Sequence, residues 1–80
     1  MKKMKLTEKS MEVLDFVKAH GGQALVSEIA GGVGRTSRSI NANINDLVKK
    51  ELATRVKEDG AEEATCVLTD AGRDFVPSED

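Results

Sequence analysis

Arg38, Asn41, Ala42 and Asn45 follow one another at intervals of three, one and three, interleaved with Ile40 and Ile44 and followed by Leu47. In a helix, steps of about 100° per residue turn Ile40, Ile44, Leu47 and Val48 to one side and Arg38, Ala42, Asn45 and Lys49 to the other, with Ser39 and Asn41 on the flanks. The outward set has a definite chemistry. An arginine fork donates to O6 and N7 of guanine, an asparagine carboxamide pairs with N6 and N7 of adenine, and a small alanine lets a helix lie deep in a groove or touch a thymine methyl. Arg38, Asn41, Ala42 and Asn45 are therefore candidate base-reading residues. Thr36 and Ser37, where the helix begins, offer hydroxyls and unpaired backbone amides to a phosphate, and Arg35, Lys49, Arg55 and Lys57 add cations around them. The plainer reading is a solvated polar face whose Ser and Asn residues only cap and solvate. Asparagine and serine are mediocre helix formers, however, and three asparagines in one helix, at 41, 43 and 45, call for a reason other than propensity.

Positioning such a face requires a second helix and a tight corner, and residues 27–52, SEIAGGVGRTSRSINANINDLVKKEL, supply both. Ala30 is small enough to let two helices approach, Gly34 takes a backbone angle that other residues resist, and Ile40, Ile44, Leu47 and Leu52 carry the apolar face onward. Ahead of this run Thr7 is placed to cap a helix over 8–19, with Glu8 in its first turn. Met11, Leu14 and Val17 recur there at helical spacing until Gly21 and Gly22 stop it. Residues 23–26 are short and apolar and read as extended. Ser27 then caps a second helix to about Gly32, and Thr36 or Ser37 caps a third to about Lys50, where Lys49 and Lys50 suit the negative end of its dipole. Beyond it the apolar period changes from helical to alternating. Runs 52–57 and 63–68 read as two strands joined through Glu58, Asp59, Gly60, Ala61 and Glu62, in which Asp-Gly is a strong hairpin signal. Thr69 caps a last short helix through Phe75, and Pro77 begins a frayed end. The predicted fold is α+β and mainly helical: a winged helix-turn-helix with a three-helix core, a small antiparallel β-hairpin wing and a short C-terminal helix. It spans 1–76 as one domain, with 77–80 as a frayed acidic tail.

Composition bounds what such a chain can be. Eighty residues make one small domain with a modest core and leave no room for a separate catalytic or effector domain. The apolar share of 39% is regularly spaced, as in a folded chain, and two Phe without Tyr or Trp leave the core aliphatic. No stretch is long or apolar enough to span a membrane or act as a secretory signal, so a cytoplasmic protein without a membrane partner is expected. The net charge of −2 hides a division: residues 1–57 carry eleven Lys/Arg against six Asp/Glu, whereas 58–80 carry one Arg against eight acids. Phosphate attraction acts within a Debye length of ~8–10 Å, so the basic part can meet nucleic acid if the fold holds the acids away. The lone Cys66 lies in the apolar run ATCVL with no histidine nearby and reads as core. GGVGRT at 31–36 resembles the glycine-rich phosphate loop of ParA/MinD-like ATPases, but it has Arg35 where those have lysine and it follows a helical SEIA rather than a strand. No nucleotide is expected. His20 reads as a helix C-terminal histidine without metal-ligand companions, and no nucleophile, base and orienting group occur together. Neither an enzyme nor a cofactor or metal is expected.

Taken in order, LTEKSMEVLDFV near the start, VSEIAGGVGRTSRSINANINDLVKKEL in the middle and LTDAGRDFV near the end resemble the DNA-binding core of MarR-type winged-helix regulators over nearly the whole chain. LTDAGR is similar to the Leu-Thr-x-x-Gly-Arg segment after that family's wing, and Arg55 falls where the family often has an arginine. Arg35 stands where an apolar residue usually follows the turn glycine, and Glu51 where a glycine often closes the recognition helix. The wing tip reads Glu58, Asp59, Gly60, Ala61, Glu62, Glu63 instead of carrying groove-reaching arginines. The resemblance implies a small transcriptional regulator that binds specific double-stranded DNA with helix three, about 37–50, in the major groove. It does not extend to wing readout, to ligand sensing or to the family's dimer, because the long terminal helices that make that dimer are missing. A domain this small has a small footprint, so specificity calls for a homodimer on half-sites roughly 34–36 Å apart or for a partner protein. The alternative is a winged-helix protein–protein interaction module that does not read DNA, a reading the acidic wing and tail favour.

Overall fold

The computed structural model describes residues 6–75, which form α1 (Glu8–Ala19), β1 (Gln23–Leu25), α2 (Val26–Val33), α3 (Ser37–Lys49), β2 (Ala53–Val56), β3 (Thr65–Leu68) and α4 (Asp70–Asp74). The basic start at 1–5 and the tail at 77–80 with Pro77 lie outside the described residues. Three of the helices start the same way. Thr7, Thr36 and Thr69 hold extended backbone one residue ahead of the helix, and each hydroxyl oxygen accepts the amide hydrogen of Ser10, Ser39 or Gly72, at 3.2, 3.1 and 3.1 Å. The second helix departs from expectation. Leu25, held extended by pairing with Thr65, stands at its N-cap, so Ser27 is inside α2 and does not cap it. Two carboxylates cap it instead: Glu28 Oε1 accepts from the Leu25 amide at 2.9 Å, and Glu63 takes the Ser27 amide at 2.7 Å and the Ser27 hydroxyl at 3.0 Å.

Helix ends are set by backbone geometry. Gly34 closes α2 in the left-handed region at φ 70°, where the missing side chain removes the usual clash, and the Arg35 amide donates to Ala30 O at 2.9 Å. At the end of α3 the Leu52 amide donates to Leu47 O at 2.9 Å and the Glu51 amide to Val48 O at 3.0 Å, the two bonds of a Schellman motif. The residue in its left-handed position is Glu51, at φ 62°.

The sheet has three strands rather than a hairpin alone. Its order is β1-β3-β2, antiparallel throughout, with Ala24 opposite Cys66 and Arg55 opposite Cys66 on the other side. The strands are shorter than the alternating runs, because Glu63 is turned to α2 and the connection between β2 and β3 is a loop over 57–64 with Gly60 at φ 83°. Val13, Leu14 and Val17 of α1, Ile29 of α2 and Ile40, Ile44 and Leu47 of α3 have no exposed surface, and Cys66 closes the core from the sheet at 1%. Fully burying each such aliphatic side chain contributes roughly 1.5–3 kcal/mol. Val48, expected inward, is 37% exposed: at about 80° around the helix from Ile40 it lies at the edge of the apolar stripe. Gly72 is needed for contact, not for its backbone angle. A methyl there would collide with the carbonyl oxygen of Leu52, the same oxygen that accepts the Thr69 amide at 3.1 Å.

Candidate nucleic-acid interface

The core fixes how α3 is rotated. With Ile40, Ile44 and Leu47 buried, Arg38, Ala42, Asn45 and Lys49 are exposed, Asn41 is half-buried on one flank, and Thr36 and Ser37 are exposed at the helix start. Asp46 is the single carboxylate of α3, and it turns away from this face. Its Oδ2 accepts from Ser10 Oγ of α1 at 3.2 Å and meets Lys50 Nζ at 3.2 Å. Ser10, 1% exposed, is the one buried polar residue among those described, and it joins α1 to α3 through a contact that its place in the sequence does not reveal.

The three asparagines of α3 divide by angle. Counting about 100° per residue from Ile40, Asn41 and Asn45 fall near 100° and 140°, whereas Asn43 falls near 300°, on the opposite flank. Each flank meets one arginine. Arg35 Nη1 donates to Asn43 Oδ1 at 2.6 Å, and Arg35 Nη2 donates to Lys9 O at 2.9 Å and lies 4.0 Å from Glu12 Oε1. Its side chain is 15% exposed and its Nε is buried without a partner. Arg35 therefore braces α1 against α3 and does not extend toward solvent with the other cations. Arg55 of β2 lies on the other flank. Its Nη1 donates to Asn45 Oδ1 at 2.7 Å, and its Nη2 donates to Asn41 O at 3.2 Å and to Asn41 Oδ1 at 3.3 Å. The Asn41 Nδ2 in turn donates to Ser37 O at 3.1 Å.

Arg55, Lys57 and the exposed face of α3 are thus brought together, while Arg35 is set apart from them. An open groove of about 470 Å³ lies between the starts of α2 and α3 and the wing loop, bordered by Ser27, Ser37, Asn41, Lys57, Glu62 and Glu63. Its wing wall is acidic. Glu63 is already committed to the start of α2, a role hidden from local sequence reading because its partner, Ser27, is 36 positions away. Glu58, Asp59 and Glu62 remain exposed.

The features that resembled other chemistry have structural places. GGVGRT forms the last turn of α2, its left-handed glycine and the cap of α3. His20 ends α1, stacks on Phe16 with ring centroids 5.6 Å apart, and has Nδ1 3.0 Å from Gln23 O and Nε2 3.5 Å from Glu28 Oε2. Burial pushes the Cys66 thiol up to about 11, against the opposing pull of the Arg55 guanidinium across the strand pair, so it is protonated near neutral pH. Among the described residues no cluster of His, Cys, Asp and Glu is arranged to hold a metal ion, and no helix is long and apolar enough to cross a membrane.

A short second helix, a left-handed corner, a third helix with its polar face outward, and a hairpin joined by a third strand define an α+β winged helix-turn-helix domain. Solved structures share it. MepR, a transcription regulator of the Staphylococcus aureus multidrug efflux pump MepA, has a TM-score of 0.74 at 22% identity over 85% of this chain and 50% of its own. Reduced AbfR bound to DNA has a TM-score of 0.76 at 16% identity over 85% and 48%, and RV1404 from Mycobacterium tuberculosis 0.72 at 23% over 86% and 47%. The fold is therefore the MarR-like winged helix expected from the sequence, and the chain spans about half the length of these proteins. No protein-family profile matches the sequence, and no curated protein does.

Proposed function

We propose that the chain binds double-stranded DNA in a sequence-specific way, laying α3 in the major groove, as the DNA-binding part of a transcriptional regulator. The observation that carries this reading is the exposed face of α3, where Arg38, Ala42, Asn45 and Lys49 stand without a carboxylate because Asp46 is turned to Ser10 and Lys50. Arg38, Ala42 and Asn45 face the base edges, with Asn41 beside them, while Thr36, Ser37, Lys49 and Lys57 serve phosphates. The likeness in fold to AbfR, solved bound to DNA, supports it. Two copies on half-sites one helical turn apart would supply the footprint that one domain lacks.

Titration of labelled duplex against salt tests the reading. Weak binding at low salt is expected, with log affinity falling linearly in log salt by about 0.9 per phosphate neutralised. No binding at low salt would defeat it. Substituting Arg38→Ala is expected to cost ~1–3 kcal/mol of discrimination between sites, whereas Lys57→Ala weakens all sequences alike. A second reading, docking of a basic protein partner, is favoured by one observation, the exposed Glu58, Asp59 and Glu62 of the wing loop.

A further inference from the structure

Two helix starts border the groove beside the wing, and they differ in what they offer an anion. At the start of α3 the Thr36 hydroxyl takes the Ser39 amide, while the amides of Ser37 and Arg38 have no intrahelical acceptor. At the start of α2 every early donor is engaged. The Leu25 amide goes to Glu28 Oε1 at 2.9 Å and the Val26 amide to Ala64 O at 3.4 Å. Ser27 has one amide hydrogen and one hydroxyl hydrogen, and Glu63 takes both, through Oε1 at 2.7 Å and Oε2 at 3.0 Å. A phosphate oxygen only accepts, so Ser27 has nothing left to donate to it while Glu63 stays. The strand register sets this contact up: Leu25 pairs with Thr65, and continuing that antiparallel order puts Ser27 opposite Glu63. Ser27 nonetheless lines the same groove as Ser37 and Lys57, and in helix-turn-helix docking the first helix crosses the DNA backbone.

We propose that Glu63 is an autoinhibitory residue: its carboxylate holds both Ser27 donors in the place of a DNA phosphate, and so keeps the start of α2 closed to the duplex and lowers affinity. The inference rests on the reading of α3 as the DNA-reading helix. The contact is made by side-chain oxygens, so rotation of Glu63 alone would free Ser27 without unpairing the strands. Glu62, its exposed neighbour on the same groove, carries the same charge without holding the helix start, which separates occupation from plain repulsion.

Salt titration of a short labelled duplex against wild type, Glu63→Ala, Glu63→Gln and Glu62→Ala, with the Ser27 amide followed by NMR as duplex is added, tests it. Glu63→Ala is expected to bind roughly fivefold tighter at low salt and to steepen the dependence of log affinity on log salt by about 0.9, one phosphate more. Its Ser27 amide shifts when duplex is added, whereas that of wild type does not. Glu63→Gln, neutral but still an acceptor that keeps the helix start satisfied, is expected to gain less than Glu63→Ala. Glu62→Ala gains no more than about twofold, through the general field, and leaves the Ser27 amide in place. Equal gains from Glu62→Ala and Glu63→Ala with Ser27 unmoved, or no gain from either Glu63 variant while circular dichroism shows the fold kept, overturn the inference and leave the α3 reading intact. If neither wild type nor any variant retains duplex at low salt, the α3 reading falls and this inference with it.

Discussion

Arg35 and Arg55 brace α3 from opposite flanks through asparagine oxygens, and the two arginines differ in what remains free. Arg35 is enclosed, with Asn43 and Lys9 O on its donors, so Arg35→Ala is expected to lower stability by ~1–3 kcal/mol in urea unfolding while low-salt duplex affinity stays within about twofold. A large loss of affinity at unchanged stability would return Arg35 to the phosphate set. Three asparagines in one helix marked the segment as unusual from propensity alone. Their partners were not legible, because they depend on which way two long side chains turn from 8, 10 and 14 positions away. Cys66 was legible as core, and its raised ionisation has a stability consequence. Below pH 9 folded and unfolded chains both keep the thiol proton. Between 9 and about 11 the unfolded chain gives it up and the folded chain keeps it, so stability falls as pH rises through that window. Comparing the slope of unfolding free energy against pH in wild type and Cys66→Ala isolates the effect; equal slopes would exclude it.

Among the elements, those whose signals are local were readable and those whose partners are remote were not. Thr7, Thr36 and Thr69 cap from one residue ahead, so α1, α3 and α4 begin where expected. The start of α2 was misplaced by its serine, because the strand pairing of Leu25 and the reach of Glu63 override the intrinsic preference of Ser27. For the same reason the place of β1 in the sheet was not readable: residues 23–25 are extended as expected, but their partner β3 is remote in sequence. Two substitutions probe the ends of these elements. Glu51 occupies at φ 62° the position that Gly21 takes at φ 83° after α1, so Glu51→Gly relieves a left-handed side chain. A gain of ~0.5–1 kcal/mol is expected after the entropic cost of glycine, measured by thermal or urea unfolding. Gly72→Ala drives a methyl into the Leu52 carbonyl, which is backbone and cannot swing aside, and a loss of ~1–3 kcal/mol or more is expected. The Leu-Thr-x-x-Gly pattern after the wing thus has a mechanical basis: Thr69 bonds to Glu51 O at 2.8 Å and Gly72 lets α4 lie on Leu52.

At the scale of the molecule, the two signs of charge meet in the wing loop: Lys57, Glu62 and Glu63 border the groove opposite Ser37 and Asn41, and Glu58 and Asp59 are exposed in the same loop. On the proposed reading, a duplex seated on α3 sets its phosphates at the helix start, Lys49 and Lys57 and clear of Glu58, Asp59 and Glu62, since like charges within a Debye length of ~8–10 Å repel. The wing is thereby cast as a boundary to the footprint. The angular pattern of α3 was enough to name this face from sequence; how much of it Arg55 already occupies needed the fold. Chemical-shift mapping of the full chain with a short duplex at low salt addresses the face directly. If α3 enters the groove, the largest amide shifts fall within 36–45 and at Arg55, with little change at 58–62. Shifts confined to the wing loop, or none at low salt, would contradict it.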